Sequence, residues 1–172
     1  MTELDSRQTA SRFAAADDEA FVSSKCRRLL AYWRDKAGDR VRPTWHDINL
    51  IDLYDIAPFI TVRDVVDDGR EFRCRFCGTG LAEVTGFDLT GGLLSENYAP
   101  AGAQIMLKRY RATIDAGGPL RIVGFLKTVE KNLPTGFESV TLPLDGDSGT
   151  IAHILSVHDF EYEPQPNEIS GP

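Results

Sequence analysis

The chain has 172 residues and a formal net charge of −7, and 42% of its residues are apolar and 26% charged. A chain of this length and composition builds its own hydrophobic core, which excludes wholesale disorder, and its three cysteines suit a reducing compartment better than a secreted disulfide framework. No run approaches the roughly 18 apolar residues of a membrane helix, and the start lacks the order of a signal peptide, so we expect a soluble cytoplasmic protein without membrane contact.

Both ends of the chain are predicted to be disordered tails. Residues 1–17 are small and polar without periodicity, and residues 161–172 contain three prolines. After the first tail, apolar residues recur at spacings of three and four from Val22 to Ala37, which predicts an amphipathic N-terminal helix. We assign residues 18–58 to this helix and a short connector.

The N-terminal helix is basic on an otherwise acidic chain. Residues 20–42 contain seven basic and two acidic residues, which gives +5 there and −12 elsewhere. The overall acidity argues against nucleic-acid binding, but the basic stretch supports one alternative function, a DNA-binding adaptor. Phe21, Leu29 and Leu30 broaden the apolar stripe beyond what a helix needs to cover its own domain, which predicts a homodimer through this helix.

The next segments predict a β-hairpin. Residues 59–66 are β-branched and apolar, Asp67-Asp68-Gly69 is a turn signal, and residues 70–78 alternate between apolar and polar types. This alternation predicts that three apolar side chains share one face of the second strand: Phe72, Cys74 and Phe76.

The remainder of the chain up to residue 160 predicts helices followed by strands. Short helical stretches lead into a longer helix over residues 101–116, and three strand-like segments follow, separated by hairpin loops. Consecutive strands joined by hairpins make an antiparallel sheet, so residues 59–160 are predicted to form one α+β domain with helices on one face of the sheet.

Cys74-Arg75-Phe76-Cys77 is a Cys-x-x-Cys string that suggests a metal or redox site. Positions three apart on a strand face opposite sides of the sheet, so the two thiols could not share a zinc ion or form a disulfide without a bulge. We therefore interpret both cysteines as structural and expect no metal site. The sequence contains no nucleophile-elbow motif, and the alternative of a small enzyme needs an Asp, His or Tyr set that converges in a hydrophobic pocket.

The element order of two strands, several short helices, one longer helix and three strands resembles that of a PAS domain. Over residues 20–160 the chain also resembles a PAS-like family of single-domain proteins common in alphaproteobacteria. The strings that carry most of this resemblance are Gly78-Thr79 and Asp88-Leu89-Thr90-Gly91, and further matching strings are Tyr32-Trp33, Asp64-Val65-Val66, Phe72-Arg73-Cys74-Arg75-Phe76 and Leu142-Pro143-Leu144.

The resemblance implies a five-stranded antiparallel sheet in spatial order 2-1-5-4-3. It also implies a sensory or regulatory module, not an enzyme, that encloses a small ligand, works as a homodimer and signals through contact with a separate output protein. Residues 79–116 contain no histidine for a haem and lack the Asn-Cys-Arg-Phe-Leu string of flavin photosensors, which argues against both cofactors and leaves the ligand unknown.

We expect the ligand pocket between the sheet and residues 81–110. Some of the side chains that share a strand face or a helix face there are predicted to border it, and core packing is the alternative for each one. The predicted ligand-binding residues are Cys74, Phe76, Val84, Tyr98, Met106 and Tyr110.

Overall fold

An antiparallel sheet is the framework of the protein. The computed structural model describes residues 11–15, 20–127 and 134–169, and its strands are β1 (Ser11–Ala15), β2 (Ile60–Val66), β3 (Glu71–Cys77), β4 (Leu120–Lys127), β5 (Pro134–Asp145) and β6 (Ile151–Asp159). The spatial order is β1-β4-β5-β6-β2-β3, and each neighbouring pair is antiparallel. The strands from β2 onward follow the expected order 2-1-5-4-3, which confirms the predicted fold class.

Helices cover both faces of this sheet. One face carries the short helices α2 (Thr79–Thr85) and α3 (Leu94–Asn97) and the longer α4 (Pro100–Ala116), and the opposite face carries α1 (Ser24–Ala37). Strand alternation separates the two cores, since Ile154 of β6 packs with Tyr110 of α4 whereas the next residue, Leu155, packs in the cluster of α1. No helix among the described residues is long and apolar enough to cross a membrane.

The apolar stripe of α1 is buried against its own sheet. Leu29 and Leu30 are both 0% exposed and pack with Val140, Leu142 and other residues of the central strands. These two leucines therefore do not supply the exposed apolar strip on which the predicted homodimer interface rested. The reason is that the sheet and the connector after α1, with its 3₁₀ turns at Trp45–Asp47, Leu50–Leu53 and Ala57–Phe59, already fill the surface around the stripe.

Both chain ends depart from the predicted disordered tails. Residues 11–15 form the edge strand β1, which pairs with β4. Residues 161–169 include the helical turn α5 (Pro166–Ile169), and Glu168 accepts hydrogen bonds at 3.0 Å from both Nη atoms of Arg121 on β4. Residues 1–10, 16, 17 and 170–172 of the predicted tails lie outside the described residues, as do residues 18 and 19 at the start of the predicted helix region.

Candidate functional site

Two adjoining cavities lie between the sheet and helices α2 to α4. The inner cavity, of about 40 Å³, reaches the sheet at Thr61, Arg63 and His158. The outer cavity, of about 260 Å³, extends to Phe87, which is 46% exposed and marks its rim. The residues that line both cavities are Thr85, Tyr98, Met106, Arg109 and Leu126. The shared residues make the cavities neighbours, which together extend from the central strands to the space under α4.

The sheet presents a polar stripe to the helices because of strand alternation. On β2, Ile60 and Val62 pack in the cluster of α1, so Thr61 and Arg63 lie on the helix-facing side. The register places Thr61 opposite Ser156 of β6, and Ser156 opposite Thr141 of β5. Hydroxyl groups thus line up across three strands, beneath α4.

His158 is held between two hydroxyl groups of this stripe. Its Nδ1 lies 2.7 Å from Oγ of Ser139 and its Nε2 lies 3.3 Å from Oγ1 of Thr61. Burial, followed by the positive charges of Arg109 and Arg63, lowers the pKa of His158 to about 3. The imidazole is therefore neutral near pH 7 and donates one hydrogen bond while accepting another.

Arg63 is a buried guanidinium on the central strand β2. The residue is 0% exposed, and its Nε and Nη1 atoms have no hydrogen-bond partner among the described residues. Its Cζ lies 5.8 Å from the centroid of the Tyr110 ring. Arginine stays protonated in proteins, so this side chain places a positive charge beside the inner cavity.

A second cation, Arg109 of α4, lines both cavities. It is 7% exposed, its Nη1 lies 3.5 Å from Sδ of Met106, and its Cζ lies 5.0 Å from the centroid of the Phe137 ring. Burial lowers the pKa of Arg109 to about 10, which still leaves it charged near pH 7. None of the described residues that line the two cavities is a carboxylate, so the site carries positive potential.

Comparison with known proteins decides the family. The sequence model of the PAS domain matches residues 21–158. The chain belongs to the PAS domain family. This membership makes the protein a sensory or regulatory domain and points to a non-enzymatic role.

Among solved structures, the PAS domain is similar to a chain from the structure of an RNA-binding Light-Oxygen-Voltage receptor. The two are 18% identical with a TM-score of 0.44, and the match covers 69% of this chain and 35% of that chain. This chain therefore spans about a third of the length of that receptor. No curated protein is similar enough to this sequence to count as a match.

Three of the predicted ligand-binding residues of the PAS domain meet at the inner cavity. Tyr98 and Met106 line both cavities, and Tyr110 lines the inner one. Cys74 and Val84 line neither cavity, although Cys74 is buried on the helix-facing side beneath α2. Whether these residues bind a ligand stays a prediction.

The prediction that Phe76 borders the pocket is wrong, because a β-bulge reverses the alternation of β3. Phe76 pairs with Val62, but the next pair along the ladder joins Arg63 to Cys74, so Arg75 is an extra residue on β3. Phe76 consequently packs against the cluster of α1, on the far face of the sheet.

The same bulge brings Cys74 and Cys77 to one side of the sheet. Both thiols lie in a buried cluster with Leu81 and Leu89, contrary to the expectation that they face opposite sides. A hydrogen bond with Cys74 lowers the pKa of Cys77 to about 7, and the same contact raises the pKa of Cys74. The described residues contain no group of three or more side chains that could hold a metal ion.

Sequence reasoning missed the polar residues of the PAS cavity. Arg63, Arg109 and His158 were not among the predicted site residues. One signal was available, since Arg63 interrupts the apolar and β-branched run of β2, where an unpaired charge is expensive to bury. No comparable local signal distinguishes Arg109 from other arginines of α4, because its burial depends on the sheet beneath the helix.

Proposed function

We propose that this PAS domain binds a small ligand in the paired cavities and relays its presence by contact with another protein. The observation that carries the proposal is the cavity itself, in which three polar side chains of the central strands, Thr61, Arg63 and His158, converge on a largely apolar inner chamber that adjoins a larger outer chamber under α4. Ligand sites commonly combine an apolar lining with a few convergent polar groups. A cytoplasmic setting, in which the cysteines stay reduced, belongs to the same proposal.

Strand β2 offers a direct physical link from the cavity to the opposite face of the sheet. Thr61 and Arg63 border the cavity, whereas Ile60 and Val62 pack with α1 and the connector. Because packed interiors transmit displacements, a ligand that shifts β2 also shifts the packing of α1. The surface around α1 and the connector is therefore the proposed output surface.

Blocking the outer cavity tests ligand binding. Gly102 lines this cavity, and a Cβ added there would lie at an ordinary contact distance of 3.5 Å from Cβ of Tyr98, so Gly102→Leu fills the chamber without straining α4. We expect the neutral fluorophore N-phenyl-1-naphthylamine to bind the unmodified protein and to bind Gly102→Leu at least roughly tenfold more weakly.

Ala101→Leu is the matched control, since Ala101 is exposed on the same helix and lines neither cavity. Its affinity for the fluorophore should equal that of the unmodified protein. Equal binding by all three proteins, or binding by none, would contradict the proposed ligand cavity.

The output contact is proposed to involve the connector, as the interface of a homodimer. Ile51 and Tyr54 are each 78% exposed, and they lie three residues apart on one 3₁₀ turn and its cap. Exposed large apolar side chains in proximity are typical of protein interfaces, and two-fold symmetry is the commonest way to bury such a patch.

Sedimentation velocity tests this interface. The unmodified protein should form a dimer at tens of micromolar, and replacing Ile51 and Tyr54 by Ser should give a monomer of unchanged thermal stability. A monomeric unmodified protein, or a dimer that the double substitution leaves intact, would contradict the proposed interface.

A further inference from the structure

We propose that the ligand of the paired cavities is a small organic carboxylate, with its carboxylate group against Arg63 and its apolar body in the outer cavity. This inference rests on the proposed ligand-binding function and adds the chemical class of the ligand. Three observations support it: the guanidinium atoms of Arg63 that lack hydrogen-bond partners, the charges around the cavity, and the sizes of the two chambers.

The first step concerns the missing counter-charge of Arg63. Nε and Nη1 are buried without a hydrogen-bond partner among the described residues. Elsewhere the protein pairs its partly buried arginine, since Nε of Arg121 donates to Oε1 of Glu138 at 2.6 Å and its Nη atoms also donate to Glu168. The guanidinium hydrogen-bonds to the side chain of Tyr110, but buried donors that are left without an acceptor are destabilising. An anion in the inner cavity would supply the acceptors that Arg63 lacks.

The second step concerns the other charges that face the cavity. Arg109 adds a second positive charge from α4, and His158 is neutral because its pKa is lowered to about 3. Burial raises the pKa of Tyr98, and no described lining residue is acidic. The cavity therefore favours a ligand with negative charge, whatever other contact Arg109 makes.

The third step concerns shape. A water molecule occupies about 10–15 Å³ on the volume measure used for cavities, so the inner chamber of about 40 Å³ holds a group of about three heavy atoms, such as a carboxylate. The planar fork of a guanidinium matches the two oxygens of that group. The outer chamber of about 260 Å³ is lined by Ile105, Phe125 and Leu126, among others, and suits an aromatic or aliphatic body.

Matched pairs of carboxylates and amides test the chemical class. We expect benzoate or octanoate to bind the unmodified protein, by calorimetry, roughly tenfold or more tightly than benzamide or octanamide, because a hydrogen bond to a charged group contributes more than a neutral one. Arg63→Met should abolish this preference. Arg73→Met should retain it, since Arg73 is exposed on β3 and donates to the carbonyl oxygen of Gly91.

Thermal unfolding without ligand is the second measurement. Arg63→Met keeps the length of the side chain but removes the charge, so its melting temperature should equal or exceed that of the unmodified protein. A marked fall would show that Arg63 is already compensated within the protein and would overturn the inference.

The outcomes separate this inference from the proposed function. If the amides bind as tightly as the carboxylates, or if only N-phenyl-1-naphthylamine binds, the cavity holds ligands but the carboxylate assignment is overturned. Tighter binding of phenyl phosphate than of benzoate would overturn it as well. If the fluorophore, the carboxylates and the amides all fail to bind, the proposed function fails and this inference fails with it.

Discussion

At the scale of single residues, the helix-facing polar stripe of the sheet is mostly satisfied within the protein. Oγ1 of Thr141 lies 2.7 Å from Oγ1 of Thr113 on α4, and Ser139 bonds to His158. The exceptions are Oγ1 of Thr135, Oγ of Ser156 and two guanidinium nitrogens of Arg63, which have no partner among the described residues. Native proteins leave few buried polar atoms unpaired, and of these exceptions only Arg63 is among the described residues that line the two cavities.

His158 is expected to make the protein sensitive to acid. Folding lowers its pKa from 6.5 to about 3, chiefly because burial disfavours the charged ring. Between these values the unfolded chain binds a proton that the folded chain does not. The free energy of unfolding therefore falls as the pH drops below about 6.5, by at most about 1.4 kcal/mol per pH unit.

Urea unfolding at about pH 7 and about pH 5 measures this loss. The variant His158→Gln should lose less stability between the two pH values than the unmodified protein does. Asp47 does not contribute to the loss of stability between about pH 7 and about pH 5, because hydrogen bonds from Arg40 and Thr44 lower its pKa to about 2, which is below this pH range. Equal losses in both proteins would contradict the assignment of the acid sensitivity to His158.

At the scale of elements, buried acidic groups of the sheet fix the start of α1. The backbone N–H of Ser23, the N-cap of α1, donates to Oε2 of Glu138 at 2.6 Å, and its hydroxyl donates to Oδ2 of Asp159 at 2.6 Å. Lys25 also pairs with Asp159 at 3.2 Å. Carboxylates at a helix N-terminus are stabilised by its unpaired N–H groups and its dipole, so strands β5 and β6 both position and stabilise this helix.

Leu30→Ala should reduce stability without changing the oligomeric state. The side chain is 0% exposed in the cluster between α1 and the sheet, so its truncation leaves a cavity and lowers the free energy of unfolding by about 2–5 kcal/mol. Val22→Ala is the control, because Val22 is 64% exposed and should change stability little. Urea unfolding and sedimentation together check the prediction, and a dimer lost at full stability would refute it.

The C-terminal segment after β6 should stabilise the sheet. Tyr162 and Glu168 both hydrogen-bond to Arg121, and Pro164 packs closely on Gly136 of β5. A chain that ends at Phe160 loses these contacts, and we expect its free energy of unfolding to fall by about 1–3 kcal/mol.

The matched control for this truncation is Glu163→Gln, which changes an exposed residue of the same segment. Its denaturation midpoint should match that of the unmodified protein. An unchanged midpoint for the truncated chain would show that the segment contributes nothing to stability.

At the scale of the whole molecule, the basic stretch of residues 20–42 is neutralised by the protein itself. At least five of its seven basic residues form ion pairs with carboxylates of the connector, the strands or the segment after β6. The pairs are Lys25 with Asp159 and Glu161, Arg28 with Asp55, Lys36 with Asp52, Arg40 with Asp47, and Arg42 with Asp145. The excess of basic residues in this stretch therefore does not form a free cationic surface that could bind the phosphate backbone of a nucleic acid.

We accordingly expect no appreciable binding to duplex DNA near physiological salt. Fluorescence anisotropy with a labelled duplex, repeated over a range of salt concentrations, measures it. The net charge of −7 adds repulsion to the internal pairing of the basic residues. A dissociation constant that rises steeply with salt would instead support the DNA-binding adaptor.

Local patterns and the PAS resemblance together predicted the strand order of the sheet, but not the edge strand β1 and not the whole site. Hairpin turns and alternating strands predict antiparallel neighbours, and together with the PAS resemblance they led to the strand order. Helical periodicity placed Met106 and Tyr110 on one face of α4, where both line the inner cavity. Phe76 was misplaced because a single extra residue in β3 reverses every later side chain of the strand, and the alternation of residue types does not reveal it.

What the sequence by itself determined is the set of elements between residues 20 and 160, their order and the face of most of their apolar residues, because these depend on neighbours a few positions away. Only the tertiary structure decided that Arg63 and His158 share a cavity, that Leu29 and Leu30 are covered, and that the C-terminal segment docks. These features depend on partners far apart in the chain, such as Thr61 with His158. Burial and charge at such contacts follow from the strand register, which no local pattern specifies.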